Sequence, residues 1–410
     1  MFFLIAFILQ VLLFTRLEQK LWGTLFTPLN AMMWPYTIAT LIVIVYSLLD
    51  PDTPDFYLPS LVVWMVGLII FFIPSIIFAK DTPIIFKKKG FEIEVSAKDD
   101  HYKLLRNIAF FGIAISLLKI RSISGQLDSF GTDSFSESYQ STGLFAHLGI
   151  IVGAIFPYAI YKYDKEHRKS AMLIIFGALV GMYAVGTKSW IIAPFLIGYA
   201  ARILTQKTKF NLKTTLLPVI LVFSIFFLSY YLSIVFVAGY DASNEFFLFV
   251  VTHFIDYFGG ASLALSIEFK NGFIEPQNIP ALFAPILNLF NAFFDFPYIN
   301  TINPVFIDIG TLGSNNVRTF FGTIYAYSHS ILAFIIIPLL FSAFIYKTYA
   351  ASRKSKSIFL LFANISNIVF LIFAFFDFYW LTLTCYEFFI LYIIMHFILY
   401  KKKERKYTFK

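Results

Sequence analysis

The sequence predicts an all-α polytopic membrane protein, and three observations carry the prediction. Of its 410 residues 59% are hydrophobic and 14% charged, where a soluble domain carries roughly a quarter charged residues. Apolar runs of membrane-crossing length recur along the chain. Lys and Arg gather in alternate connections between those runs. With a mean hydropathy of +0.76 the chain lacks the polar surface to enclose its side chains in water, so the bilayer is its solvent.

A helix needs about 17–25 apolar residues to cross the hydrocarbon core. Such runs fall near 2–15, 31–49, 57–79, 104–120, 144–161, 171–186, 188–204, 214–238, 330–346, 357–376 and 380–400. They predict about 11 (roughly 10–12) transmembrane helices. The opening "MFFLIAFILQVLLFTRLEQK" has no basic leader before its apolar run and no small-residue cleavage site after it. It is expected to be a retained first helix. The pair 171–204 hinges on Gly186-Thr187-Lys188-Ser189.

Orientation follows from the basic residues. Segments 16–30, 80–106, 162–169, 202–213, 347–356 and 401–410 hold 27 of the 32 Lys and Arg. They are expected on the cytoplasmic side, with the C-terminus inside and the N-terminus outside. The net charge of +8 is then a product of topology and anionic lipid. Basic residues scattered over six short segments make no nucleic-acid surface, and no nucleic-acid partner is expected. One membrane domain results: helices over 1–238, a large periplasmic loop over 239–329, and helices with a basic tail over 330–410.

Loops as long as 239–329 are usually functional. Two apolar pieces in it, "FFLFVVTHFIDYF" at 246–258 and "PALFAPILNLFNAFF" at 280–294, are broken by Pro and polar residues. They are expected to be interfacial helices or re-entrant pieces. The Ser-rich outward segment 121–143 mixes Asp128, Asp133 and Glu137 with Phe130, Phe135 and Tyr139. That mixture suits a carbohydrate and equally a solvated loop.

Five basic residues remain on the outward side: Lys119, Arg121, Lys188, Lys270 and Arg318. Arg318 stands in "SNNVRTFFGTIYAYSHS", between two asparagines and an aromatic pair. Its planar fork suits phosphate oxygens; an ion pair with Asp308 or snorkelling at a helix end would place it equally well. Arg121 and Lys119 close a span, where snorkelling competes with anion binding. Lys188 forms a compact polar apex with Gly186 and two hydroxyls, and an intramembrane charge is usually paired or functional. Lys270 reads as a solvated turn.

Among acid–base candidates, His253 and Asp256 are spaced i, i+3 in "THFIDYFGG", which on a regular helix shares one face. A carboxylate there could orient an imidazole as general base, and a solvated polar face explains the spacing as well. His329 ends the Arg318 stretch as a further base or phosphate-ligand candidate, and His147 lies near the outer end of its span. Asn315 and Asn316 are candidate hydrogen-bond partners for sugar or backbone. Cys385 is the one cysteine, which excludes an internal disulfide. No HExxH, Walker A, GxGxxG after a strand or GxSxG occurs, so no metal, nucleotide cofactor or serine nucleophile is expected.

The arrangement resembles the O-antigen and capsule repeat-unit polymerases: many spans, a large outward loop in the C-terminal half, and two or three spans after it. "SNNVRTFFGTIYAYSHS" is similar to that family's stretch at the end of the loop, and "GTKS" at 186–189 to its small-residue basic apex. The apex here carries Lys188 where such proteins often carry Arg, a point charge in place of a fork. The resemblance implies an integral-membrane glycosyltransferase without a cofactor. Its donor would be a glycan on undecaprenyl pyrophosphate, and its acceptor a second lipid-linked repeat unit on the outer leaflet. Its partners would be those lipids, the membrane and a chain-length regulator protein. Arg318, Arg121 and Lys188 would meet the pyrophosphate, and His253, His329 or Asp256 would take the acceptor's proton. Rival readings are a lipid-linked oligosaccharide flippase, an O-antigen ligase and a membrane O-acyltransferase. The flippase would need two similar halves around a central ionisable cavity, and no half-to-half repeat is present.

Overall fold

A computed structural model describes residues 1–80, 95, 101–123, 135, 144–184, 189–209, 211–237, 239, 241–273, 277–294 and 297–401. In chain order its α-helices are α1 (Phe2–Trp22), α2 (Pro28–Leu49), α3 (Leu61–Lys80), α4 (Tyr102–Ile123), α5 (Leu144–Tyr161), α6 (Arg168–Ala184), α7 (Ser189–Leu204) and α8 (Leu212–Tyr230). They continue as α9 (Asn244–Ile255), α10 (Ala261–Asn271), α11 (Ala284–Phe294), α12 (Phe320–Ser328), α13 (Ile331–Lys354), α14 (Ile358–Ile372) and α15 (Leu383–Met395). Among the described residues the only strands are β1 (Ile307–Asp308) and β2 (Ser314–Asn315), paired antiparallel. The protein is an all-α membrane protein: eight described helical runs are long and apolar enough to cross a bilayer.

Local chemistry sets these boundaries. α1 ends at Gly23 in the left-handed region (φ 71), the usual helix stop. Thr27 caps α2 by accepting from Asn30 N–H, with Pro28 at the first helical position, where its missing donor does no harm. Asn211 and Thr214 form a reciprocal capping box on α8.

One run departs from expectation. Residues Asn244–Asn271 form 28 continuous helical residues, α9 and α10 joined by a π-turn at Asp256–Gly260. The sequence suggested an interfacial or re-entrant piece over 246–258, too short or too broken by polar residues to span. The carboxylates of Asp256 and Glu268 find partners inside the fold, so neither breaks the helix.

The chain divides into two compact units. The first holds Met1–Phe91, Val251–Lys354 and Asn367–Tyr386. In its core Trp64 stacks on Tyr36 with ring centroids 3.5 Å apart and planes 6° apart, and Phe321 meets the Trp64 ring edge-on at 4.9 Å. Gly67 makes room for the Phe321 ring, since a Cβ there would lie 2.5 Å from its Cγ. Glu18 is fully buried and accepts from Ser75 Oγ at 2.5 Å and Tyr346 OH at 2.9 Å, which ties α1 to α3 and α13.

The second unit holds Glu92–Val250, Ser355–Ser366 and Glu387–Lys410. Small residues let its helices close up, as membrane packing favours. A Cβ on Gly198 of α7 would meet the Pro157 carbonyl of α5 at 2.7 Å, and one on Gly177 of α6 would meet Ile113 of α4 at 2.6 Å. Arg202 donates through Nη1 to the carbonyls of Ile160, Tyr161 and Tyr163 at 2.8–3.1 Å. It thereby satisfies the open C-terminal end of α5.

Candidate functional site

Three interruptions of helix meet in the first unit: the π-turn 256–260, the segment 314–319 after the β-turn, and the tight turns between α14 and α15. Asn315 Nδ2 donates to Asp256 Oδ1 at 3.2 Å. Thr319 N–H donates to the Phe376 carbonyl at 3.1 Å, and Thr323 Oγ1 donates to Asp377 Oδ1 at 2.8 Å. The Tyr257 ring stacks on Phe376 at 5.7 Å, and Phe258 lies 4.6 Å from Phe375. Irregular backbone in an apolar protein survives only where protein or water satisfies it, and π-turns concentrate at functional sites.

The segment around Arg318 is shaped by its own sequence. Gly310 and Gly313 take positive φ (72° and 100°), which turns the chain so that β2 pairs with β1. Asn315 Oδ1 accepts from Val317 N–H at 2.9 Å, an Asx-turn that precedes the inward-pointing Arg318 side chain. Thr319 follows at φ 67, uncommon for a β-branched residue. Its hydroxyl caps α12 at Gly322 N–H (3.4 Å) and accepts the buried Trp64 Nε1–H at 3.0 Å.

Arg318 is 1% exposed. Its Nε donates to Glu268, itself 1% exposed. Nη1 donates to the carbonyls of Asn315 and Val317 at 3.0 and 3.1 Å, and Nη2 to that of Val305 at 3.3 Å. Where a pyrophosphate was expected, protein groups occupy the Arg318 fork, and the side chain is buried. Its carboxylate partner is Glu268, while Asp308 accepts from the Gly310 amide at 2.9 Å. Asn316 Nδ2 donates to the Asn303 carbonyl at 3.0 Å, a structural bond to backbone.

Asp256 is half-buried. Gly260 is what lets Asn315 reach it, because a Cβ at 260 would collide with Asp256 Oδ1 and lie 2.7 Å from Asn315 Nδ2. His253 lies one helical turn earlier, its ring 6.4 Å from that of Tyr257. Asp377, on the turn between α14 and α15, accepts through Oδ1 from Thr323 and from Phe378 N–H at 2.7 Å. Burial pushes its carboxyl up to about 6, against the pull of those two hydrogen bonds and of the Arg318 charge.

The structure gathers Arg318, Asn315 and Asp256 from the sequence candidates and adds Glu268, Asp377 and Thr319. His329 is not brought to this cluster. It is an exposed C-cap at φ 44 on the far end of α12, and the nine helical residues between it and Thr319 set the two about 15 Å apart. Arg121 belongs to the second unit, exposed in the last turn of α4. Lys188 and most of the Ser-rich segment 121–143 lie outside the described residues. His147 pairs with Glu387 at 2.5 Å within the second unit. Among the described residues no group of three His, Cys, Asp or Glu is placed to hold a metal ion.

Glu268 and Asp377 carried a signal: each is a lone acid in an apolar run, "LSIEF" and "FFDFYW", and such residues are usually paired or functional. Thr319 carried none.

The model of a family of unknown function (DUF6337) matches residues 52–406. No curated protein and no solved structure matches the chain.

Proposed function

The chain belongs to this family of unknown function, DUF6337, and we propose that it is an integral-membrane glycosyltransferase that polymerises lipid-linked oligosaccharide repeat units of a bacterial surface polysaccharide. The observation that carries the proposal is Asp256: a half-buried carboxylate in a π-turn of an apolar helix, held by Asn315 across the cleared space at Gly260. An ionisable group so placed is by default functional. A carboxylate positioned through one oxygen suits general-base work.

In the proposed reaction the acceptor hydroxyl attacks the anomeric carbon of the donor glycan. Its proton passes to Asp256, and the bond to the polyprenyl pyrophosphate breaks as the new glycosidic bond forms. The Arg318–Glu268 pair fixes the loop that presents Asn315. Arg121 and Lys188 remain pyrophosphate candidates from the sequence alone, each to be tested as a separate variant. The site faces outward on the inner membrane, and 239–329 returns to the side from which it starts. Donor and acceptor are both lipid-tethered, so holding them at one depth supplies proximity.

The test is a deletion strain complemented with wild type, Asp256→Asn or Asn315→Ala, with the polysaccharide sized by gel at matched protein level. Wild type should restore long chains, and Asp256→Asn should leave single repeat units. Loss of even single units in the deletion strain would favour a flippase. Normal chains from Asp256→Asn would remove Asp256 as the base.

A further inference from the structure

Helix α11 and the loop after it share an outward apolar face. Leu289, Phe290, Phe294, Tyr298, Ile302 and Phe306 are each between 47% and 75% exposed, and none belongs to the eight runs long enough to cross a membrane. The asparagines of this piece bond to its own backbone. Asn288 clasps Ile299 from both sides, donating to its carbonyl at 2.8 Å and accepting its N–H at 2.9 Å. Asn291 donates to the Pro297 carbonyl at 3.2 Å. Asn300 accepts from Ile302 N–H at 3.0 Å and Asn303 from Val305 N–H at 2.9 Å. Asn316 then takes the Asn303 carbonyl at 3.0 Å and Arg318 the Val305 carbonyl at 3.3 Å.

A loop in water has no need of this. Its amides and carbonyls are solvated, and its exposed residues are polar. Non-helical backbone in lipid, by contrast, must have its polar groups met by protein. Here side chains meet the backbone at Pro297, Ile299, Ile302, Asn303 and Val305, while the rings and branched chains face out. No Lys or Arg occurs between Lys270 and Arg318, so attraction to anionic headgroups does not hold this face; burial of apolar area does.

We propose that α11 and residues 297–306 form a membrane-seated hairpin whose outward face lies below the headgroups, in the acyl region of the bilayer. The asparagines and Arg318 make the irregular half of the hairpin compatible with hydrocarbon. Arg318 thus serves the loop from inside the protein, which explains why it is buried yet sits at the end of the segment. A protein partner on the same face is the competing occupant.

The test is spin-label accessibility in nanodiscs of phosphatidylethanolamine and phosphatidylglycerol, in the full-length chain with Cys385→Ala. Single cysteines replace Phe290, Phe294, Tyr298 and Ile302, with Ser314 as the aqueous reference. All are exposed or partly exposed sites, so the fold tolerates them, and gel filtration checks each. Collision with oxygen should exceed collision with a water-soluble nickel chelate at the first four positions by several-fold, with the ratio inverted at Ser314. Chelate-dominated collision at Tyr298 and Ile302 would overturn the proposal. So would low collision with both reagents, which would reveal a protein covering the face.

Discussion

Arg318 and Glu268 form an ion pair in which each side chain is 1% exposed. Removing one partner of such a pair leaves the other charged in a dry site, which costs about 3–5 kcal/mol, whereas replacing both with apolar residues is often neutral. Arg318→Ala and Glu268→Ala should each lower the thermal unfolding midpoint in detergent by many degrees. Arg318→Met with Glu268→Leu should recover most of the loss. Were Arg318 instead a pyrophosphate ligand, Arg318→Ala would abolish polymerisation while the midpoint stayed put, and Glu268→Ala would not imitate it.

Gly260 offers a sharper probe of the candidate base. Inside a helix Gly→Ala ordinarily stabilises by roughly 0.5–1 kcal/mol. Here the added methyl would strike the Asp256 carboxylate and the Asn315 amide. Gly260→Ala should therefore shorten the polysaccharide as Asn315→Ala does, and the double variant should be no worse than either single one, because all three disrupt one contact. Additive losses would show that Gly260 acts elsewhere.

Asp377 supplies a pH dependence. Burial pushes its carboxyl from 3.8 up to about 6, so the folded protein favours the neutral form. The stability this group contributes is complete below its unfolded value and is lost as pH rises through about 6. Asn at 377 keeps an oxygen to accept from Thr323 and the Phe378 amide but does not titrate. Asp377→Asn should match wild type near pH 4 and become the more stable protein above pH 6, by at most about 3 kcal/mol. Unfolding midpoints taken from pH 4 to 8 measure it; a difference independent of pH would mean that Asp377 keeps one protonation state throughout.

The helices were legible because apolar length is a one-dimensional property: the described part of each expected run lies mainly on helix, and seven of those runs coincide with helical runs long and apolar enough to cross a bilayer. The helix 244–271 was not, because its apolar stretch read as ending near 258, and the partners that keep Asp256 and Glu268 within it, Asn315 and Arg318, lie far along the chain. Arg318 shows the same limit from the other side. Its type and its outward placement pointed to an anion, and the anion is Glu268 of the same chain. The value of Asn288 and Asn316 was equally hidden, since each bonds to backbone whose position depends on the fold.

The helix 244–271 also sets a prediction for topology, because two rules disagree over it. Its 28 residues span about 42 Å at 1.5 Å each, enough to cross a bilayer. A full crossing would invert everything after it and put the basic segments 347–356 and 401–410 on the outer side. Between them those segments hold ten Lys and Arg, against none in 271–317. The charge bias counts short loops near span ends, and both segments qualify, so the ends of 244–271 are expected on the same outer side. Cysteines at Ser243 and Ser314, both exposed, would report this in intact cells lacking Cys385. A membrane-impermeant maleimide should label both before lysis. Labelling of Ser243→Cys in intact cells with Ser314→Cys reacting only after lysis would establish a crossing, and would move the Asp256 site to the middle of the membrane.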